Sequence, residues 1–212
     1  MNSGFFRLPS LLLAALFLVA LPVQALSEKD YSKLNVPQTA GDPGKIEVIE
    51  FFSYACSHCN DLNPALVKWK EKLPVDVVFR KVPVSFNRPQ WAGLSKLYYA
   101  LEATGNADKF DAAVFAAIHR DRENLFSESG IQAWLGKQSG MDGKKVFDAW
   151  RSFGVQTWVK RADEMTVGAR IPGVPALVVD GKYLAGGASN EEMLHIVDEL
   201  IEKARSERKP AK

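Results

Sequence analysis

Ile46-Glu47-Val48-Ile49-Glu50-Phe51-Phe52, then Ser53-Tyr54-Ala55, then Cys56-Ser57-His58-Cys59 is the stretch on which the fold turns. Residues 46–52 carry Val, Ile and Phe with little alternation, as a central strand buried on both faces would. From Asp61 to Leu73 the apolar residues Leu62, Leu66, Val67 and Trp69 recur at roughly helical spacing. Pro64 falls inside that run, where it kinks a helix or marks its first full turn. A strand that runs into a helix places a pair of cysteines at the helix start, and these are the only two cysteines of the chain.

Working outward, Val75 to Val82 reads as a second strong strand, so strand, helix and strand form a βαβ unit with a right-handed crossover. Before it, Tyr31 to Val36 is an edge-strand candidate ended by Pro37, and Gly41-Asp42-Pro43-Gly44 is a turn. After Pro83 and Pro89 the strand signal nearly vanishes. Helices are predicted over Trp91–Thr104, Asp108–His119, Ser127–Gln138, Asp142–Phe153 (ended by Gly154) and Val155–Ala169. Strands return at Ala176–Val179 and Lys182–Ala185, joined by the hairpin signal Asp180-Gly181. Ser189, followed by Glu191 and Glu192, caps a last helix to about Ala204, and a charged tail follows. The order is βαβ, helical insertion, ββα: an α/β chain in the thioredoxin arrangement, interrupted by helices. The expected division is a thioredoxin-like domain at 26–86 and 170–205, a helical insertion at 87–169 and a tail at 206–212.

The 212 residues are 47% hydrophobic, ample for a core, and the formal net charge of +2 argues against a nucleic-acid binder. Residues 1–25 have the pattern of an export signal: Arg7, an apolar stretch from Leu8 to Leu21, and small residues up to a cut after Ala25. The alternative is a membrane anchor, but Leu11 to Leu21 is shorter than the ~20 residues that span a bilayer. Export makes a disulfide the ordinary fate of paired thiols. A bridge closing a two-residue gap removes little unfolded-state entropy, so a structural staple explains the pair poorly and a reversible dithiol explains it well.

A thiolate is the nucleophile in disulfide exchange, and a helix N-terminus stabilises it with unpaired N–H groups and the dipole. Cys56 is therefore the attacking sulfur and Cys59, one turn in, the resolving one. His58 between them favours a thiolate on Cys56. A stabilised thiolate makes the disulfide more oxidising, which points to a donor of disulfides. A zinc site would need about four ligands. No second cysteine pair is present, His119 and His195 are isolated, and no metal or cofactor is expected. Glu50 and Lys81 are open to two readings: charges that reach solvent at strand ends, or a partly buried pair beneath the dithiol that exchanges protons with Cys59. Pro175 in Gly173-Val174-Pro175-Ala176 marks an edge or turn. Were its bond cis, the Val174 backbone would be free to pair with an extended substrate peptide. Met193, His195, Trp134, Trp150 and Trp158 read as core.

Three segments carry a resemblance. Glu50 to Cys59, Gly173-Val174-Pro175-Ala176 and Val179-Asp180-Gly181-Lys182-Tyr183 resemble the active-site strand and helix start, the cis-proline loop and the following hairpin of the DsbA family of thiol:disulfide interchange proteins, in the thioredoxin superfamily. The resemblance covers nearly all of the chain beyond the signal. It implies a cis Pro175, a buried acid at Glu50 with its lysine at Lys81, and substrate contacts at Ser57, Val174 and Pro175. It implies a periplasmic oxidase, acting as a monomer on reduced exported proteins and reoxidised by a DsbB-type membrane quinone reductase. The family is itself the standard example of a low nucleophile pKa and an oxidising potential, so the resemblance implies both. Two departures stand out. Ser57 replaces the family's usual proline before the histidine, and Asn63 stands where several relatives carry an acid, which puts a second carboxylate in the proton path in doubt. The competing readings are a disulfide reductase or isomerase, and a peptide-binding chaperone of the same fold.

Overall fold

The computed structural model describes residues 26–35, 42 and 44–208. The expected export signal at 1–25 lies outside them, as do Val36, Pro37, Gly41, Pro43 and residues 209–212 of the tail.

Five strands form one sheet in the order β1-β5-β4-β2-β3. They are β1 (Tyr31–Lys33), β2 (Ile46–Phe52), β3 (Val77–Pro83), β4 (Ala176–Val179) and β5 (Tyr183–Ala185). β2 and β3 are parallel, joined by α1 (Ser57–Lys70), and the other pairings are antiparallel. Between β3 and β4 lie α2 (Pro89–Ala103), α3 (Ala107–His119), α4 (Glu128–Lys137), α5 (Gly143–Trp150) and α6 (Phe153–Gly168), and α7 (Asn190–Arg208) closes the described chain. This is a thioredoxin fold with an inserted helical domain.

All seven residues of β2 are buried. One face, Ile46 and Val48, packs on Leu62 and Leu66 of α1 and Val197 and Leu200 of α7. The other, Ile49 and Phe51, packs on Val82, Val178 and Ala162. Covering on both sides is why the strand shows no polar alternation. A third core joins Leu97, Phe115, Ile131 and Trp134 of the helical domain to Phe52, Tyr54, Cys56 and Cys59. The helical domain therefore packs directly on the end of β2 that leads to the dithiol.

The differences from the sequence reading have local causes. α1 begins at Ser57 with Cys56 as its N-cap, as the dithiol at the helix start expects, and ends at Lys70, short of Leu73. Pro64 lies inside it. β3 starts at Val77, while Val75 is 93% exposed in the preceding turn. The boundary between α5 and α6 falls at Arg151-Ser152 and leaves Gly154 inside α6, since Ser152 Oγ accepts from Val155 N (3.2 Å) and caps the new helix. Asp180 (φ 53°) and Gly181 (φ 63°) both occupy the left-handed region, as the hairpin signal expects, but Val179 pairs with Tyr183, so Lys182 belongs to the connection and the strand starts one residue later than expected. α7 runs past Ala204 to Arg208, so residues 206–208 of the expected tail are helical. Arg205 holds Asp76 (2.8 and 3.0 Å) and Glu207 accepts from the Tyr183 hydroxyl (2.6 Å), which ties down the last turn.

Trp134 and Trp150 are core as expected, but Trp158 is partly exposed against Tyr99. His195 also departs from the expected core: it faces solvent, 3.7 Å from Glu199 one turn on.

Candidate active site

Sulfur takes the place of the usual oxygen cap on α1. Cys56 has extended backbone angles (φ −88°, ψ 119°), and its Sγ accepts from the main-chain N–H of Cys59 at 3.4 Å. No acidic residue lies in the first turn to compete with a thiolate there. Both thiols are free, Cys56 9% exposed and Cys59 fully buried. A hydrogen bond from the Cys59 thiol pulls Cys56 down to about 6, against the opposing effect of burial; the N–H groups of Cys59 and His58 and the His58 ring charge add to the lowering. Cys59 is pushed far up by the same hydrogen bond and by burial. At neutral pH the pair is thus one thiolate and one thiol, the state needed for a nucleophile and its resolving partner. Ser57 and His58 are exposed on the first turn.

Across the site, Val174–Pro175 is cis. The Val174 carbonyl lies 3.3 Å from Cys56 Sγ and accepts from it when the thiol is protonated.

Parallel pairing of β2 with β3 sets Glu50 opposite Lys81, with both side chains on the face covered by α1. Glu50 is completely buried and Lys81 nearly so, with Nζ 3.3 Å from Glu50 Oε2. The pair is therefore buried and not at solvent-exposed strand ends, and Glu50 is near enough to the dithiol for its charge to raise Cys59. Burial raises Glu50 to about 7, with Lys81 pulling the other way. Burial lowers Lys81, but Glu50 and Asp111 outweigh it and leave the ammonium favoured. The ammonium also sits 4.2 Å from the centre of the Phe52 ring.

Three further side chains complete the cluster and were not singled out from sequence for a role in it. Asp111 on α3 accepts from Lys81 Nζ at Oδ2 (2.9 Å) and from the Tyr54 hydroxyl at Oδ1 (2.9 Å). Burial, then Asp111, raises Tyr54 well above its usual value and keeps it a donor. His119, read as isolated, donates from Nε2 to the Tyr54 carbonyl (2.8 Å) in the loop before Cys56. A signal for Asp111 did exist. Asp111, Val114, Phe115 and Ile118 share one buried helical face, and an acid at a core position needs a partner. Asn63 lies on the buried face of α1 with Cys59, Leu62 and Leu66, and accepts from Lys81 Nζ at 3.3 Å. Asn63, Lys81 and Asp111 line a cleft of about 560 Å³ between α1, β3 and α3, which brings the cluster toward solvent.

Among the described residues no group of three or more His, Cys, Asp or Glu side chains is placed to hold a metal ion, and no helix is long and apolar enough to cross a membrane.

The chain matches the DSBA-like thioredoxin domain family over residues 47–197. It is 39% identical to the thiol:disulfide interchange protein DsbA of Bordetella parapertussis over 197 residues, 91% of this chain and 93% of that one. It is 35% identical to the protein of the same name from Pseudomonas aeruginosa, over 84% and 85% of the two chains. Among solved structures, reduced DsbA1 from Neisseria meningitidis superposes with a TM-score of 0.81 at 31% identity, covering 90% of this chain and all of that one. DsbA from Pseudomonas aeruginosa gives 0.80 at 34% identity, over 85% and 94%.

Proposed function

The chain belongs to the DsbA family of thioredoxin-fold thiol:disulfide oxidoreductases that oxidise substrate cysteines, and from that premise we propose that it works in the periplasm, with Cys56 and Cys59 as its redox couple and newly exported proteins as its substrates. The thiolate-stabilising helix start at Cys56 carries this reading.

In the oxidised form a substrate thiolate attacks Cys56 Sγ. The Cys56–Cys59 bond breaks, Cys59 leaves as a thiolate, and the Glu50 carboxyl gives it a proton. The substrate's second thiolate then attacks the substrate sulfur of the mixed disulfide, and Cys56 leaves as a thiolate. Two electrons pass from the two substrate thiols to the protein disulfide. Departure of Cys56 is helped by the N–H groups and the His58 charge that favour its thiolate. Lys81 balances charge beside Glu50. The main chain at Val174 and Pro175, next to Cys56 Sγ, and the exposed Ser57 receive the substrate strand. A DsbB-type membrane quinone reductase restores the disulfide.

The export pattern at 1–25 supports the periplasmic setting. The helices spanning residues 89–168 support a boundary between a thioredoxin-like domain (26–86 with 170–205) and a helical insertion (87–169).

Equilibrium with reduced and oxidised glutathione is the direct test. The expected potential is less negative than about −180 mV, and a value near about −270 mV, the range of a thioredoxin-like reductase, overturns the oxidase assignment.

A further inference from the structure

Two carboxyl groups compete for one ammonium near the dithiol. Lys81 Nζ lies 2.9 Å from Asp111 Oδ2, 3.3 Å from Asn63 Oδ1 and 3.3 Å from Glu50 Oε2. The first two contacts are hydrogen bonds. The third is a charge contact without hydrogen-bond geometry, and among the described residues neither Glu50 oxygen has a hydrogen-bond partner. The ammonium is thus held most closely by Asp111 on α3, and its contact with Glu50 across the sheet is the longer ion pair. Asp111 is fixed in turn by the Tyr54 hydroxyl on its other oxygen.

We propose that Asp111 is a positioning residue for the exchange reaction: by holding the Lys81 ammonium toward the helical domain, it denies Glu50 a full ion pair and keeps the Glu50 carboxyl available to trade a proton with Cys59. One ammonium cannot fully compensate two nearby carboxylates, so the one with poorer geometry keeps a proton more readily. Asp111 accepts two hydrogen bonds at 2.9 Å, whereas Glu50 has only the 3.3 Å contact with the ammonium. The groups that act on Glu50 are Lys81 on β3, Asp111 on α3 and Cys56 at the start of α1, while the Glu50 charge in turn raises Cys59, Tyr54 and Tyr98. Of these, Lys81 and Asp111 have the largest charge effects on it, and in opposite senses. The carboxylate in doubt at Asn63 on α1 is thereby supplied from the helical insertion, through the same lysine.

The inference rests on Glu50 being the proton partner of Cys59, so the experiment separates the two claims. Asp111→Asn keeps an acceptor for Tyr54 and removes the competing charge. Carboxyl carbon NMR then follows Glu50 against pH in the wild type and the variant. The titration midpoint of Glu50 should fall by about one unit or more, a tenfold shift in its proton affinity. An unchanged or raised midpoint overturns the proposal. Alongside, the pH dependence of disulfide reduction by a dithiol peptide is measured for wild type, Asp111→Asn, Glu50→Gln and the double variant. The inflection due to Glu50 should move to lower pH in Asp111→Asn, with no further shift when Glu50 is already Gln. A shift of full size in the double variant shows that Asp111 does not act through Glu50, and the proposal falls. Should the NMR midpoint drop while Glu50→Gln leaves the wild-type rate profile intact, Glu50 is not the carrier for Cys59 and the exchange role fails, although the hold of Asp111 on Lys81 stands. Asp111→Ser, smaller than the native side chain, serves if the asparagine variant does not fold.

Discussion

Replacing Cys59 with serine should leave the protein covalently joined to its substrates. Cys59 is fully buried behind Cys56, so an incoming substrate thiol meets Cys56 alone. Without Cys59 the Cys56 sulfur has no internal partner. A mixed disulfide formed with an oxidised substrate or a small disulfide then has no resolving thiol. A hydrogen bond from the Cys59 side chain is also the largest influence lowering Cys56, and a serine hydroxyl still supplies a donor. The Cys56 thiolate should therefore persist at neutral pH in Cys59→Ser, whereas Cys59→Ala should raise the Cys56 titration, read from thiolate absorbance. Cys56→Ser should abolish oxidation of a reduced test protein altogether. Non-reducing gels of the serine variant should show discrete high-mass adducts, and sustained multiple turnover by it is the result that rules out a two-cysteine mechanism. Loss of refolding activity on replacing both cysteines also separates the oxidase from a peptide-binding chaperone.

The second large effect concerns Glu50. Burial raises it from 4.5 to about 7, so between those pH values the folded chain holds a proton that the unfolded chain has lost. Stability then falls as pH rises through this window, because the folded state binds more protons there. The cost is absent below about 4.5, where both states are protonated, and complete above about 7. A shift of that size corresponds to about 3 kcal/mol. Glu50→Gln removes it, while Lys81 keeps Asp111 and Asn63 as partners and is not stranded. The variant should gain about 6–12 °C in melting temperature at pH 8 and little at pH 4. It should also lose speed, because Cys59 must draw its proton from elsewhere. A loss of about tenfold at pH 7 lies below the usual range for acid–base catalysis, since a thiolate leaves more readily than an alkoxide. Equal gains in melting temperature at pH 4 and pH 8 would show that Glu50 is not held protonated.

The opposite sign applies to Cys56. Its titration is lowered to about 6, so it stabilises the reduced fold above the ordinary thiol pKa, with the advantage fading as pH falls through about 6. The two groups therefore contribute with opposite sign: Glu50 costs stability as pH rises from about 4.5 to about 7, and Cys56 adds stability to the reduced chain as pH rises from about 6. A buried, charged site in an otherwise well-packed chain is where function and stability are expected to conflict.

Much of the site was legible in the chain itself. The unbroken apolar run 46–52 followed by two cysteines in four residues specifies a buried strand that delivers a dithiol to a helix start. Strand identity, the helical insertion and the Asp180-Gly181 hairpin follow from local periodicity and turn chemistry, which act between neighbours in sequence. Glu50 and Lys81 were visible as charges in apolar strands, but their direction was open. Parallel register between β2 and β3 decided it, by putting both on the face that α1 covers. Asp111 and His119 could not be assigned to the site from sequence, because each reaches it only through the packing of α3 on the end of β2; Tyr54 stands two residues before Cys56, but the partner of its hydroxyl on α3 was equally hidden. Their partners lie 57, 65 and, for Lys81 with Asp111, 30 positions away. The position of the thiols and the reactivity of one of them are written locally, since a helix N-cap is made by neighbours in the chain. The charges that surround them are set by the packing of distant elements, because the energy of a buried charge depends on what every covering element places beside it.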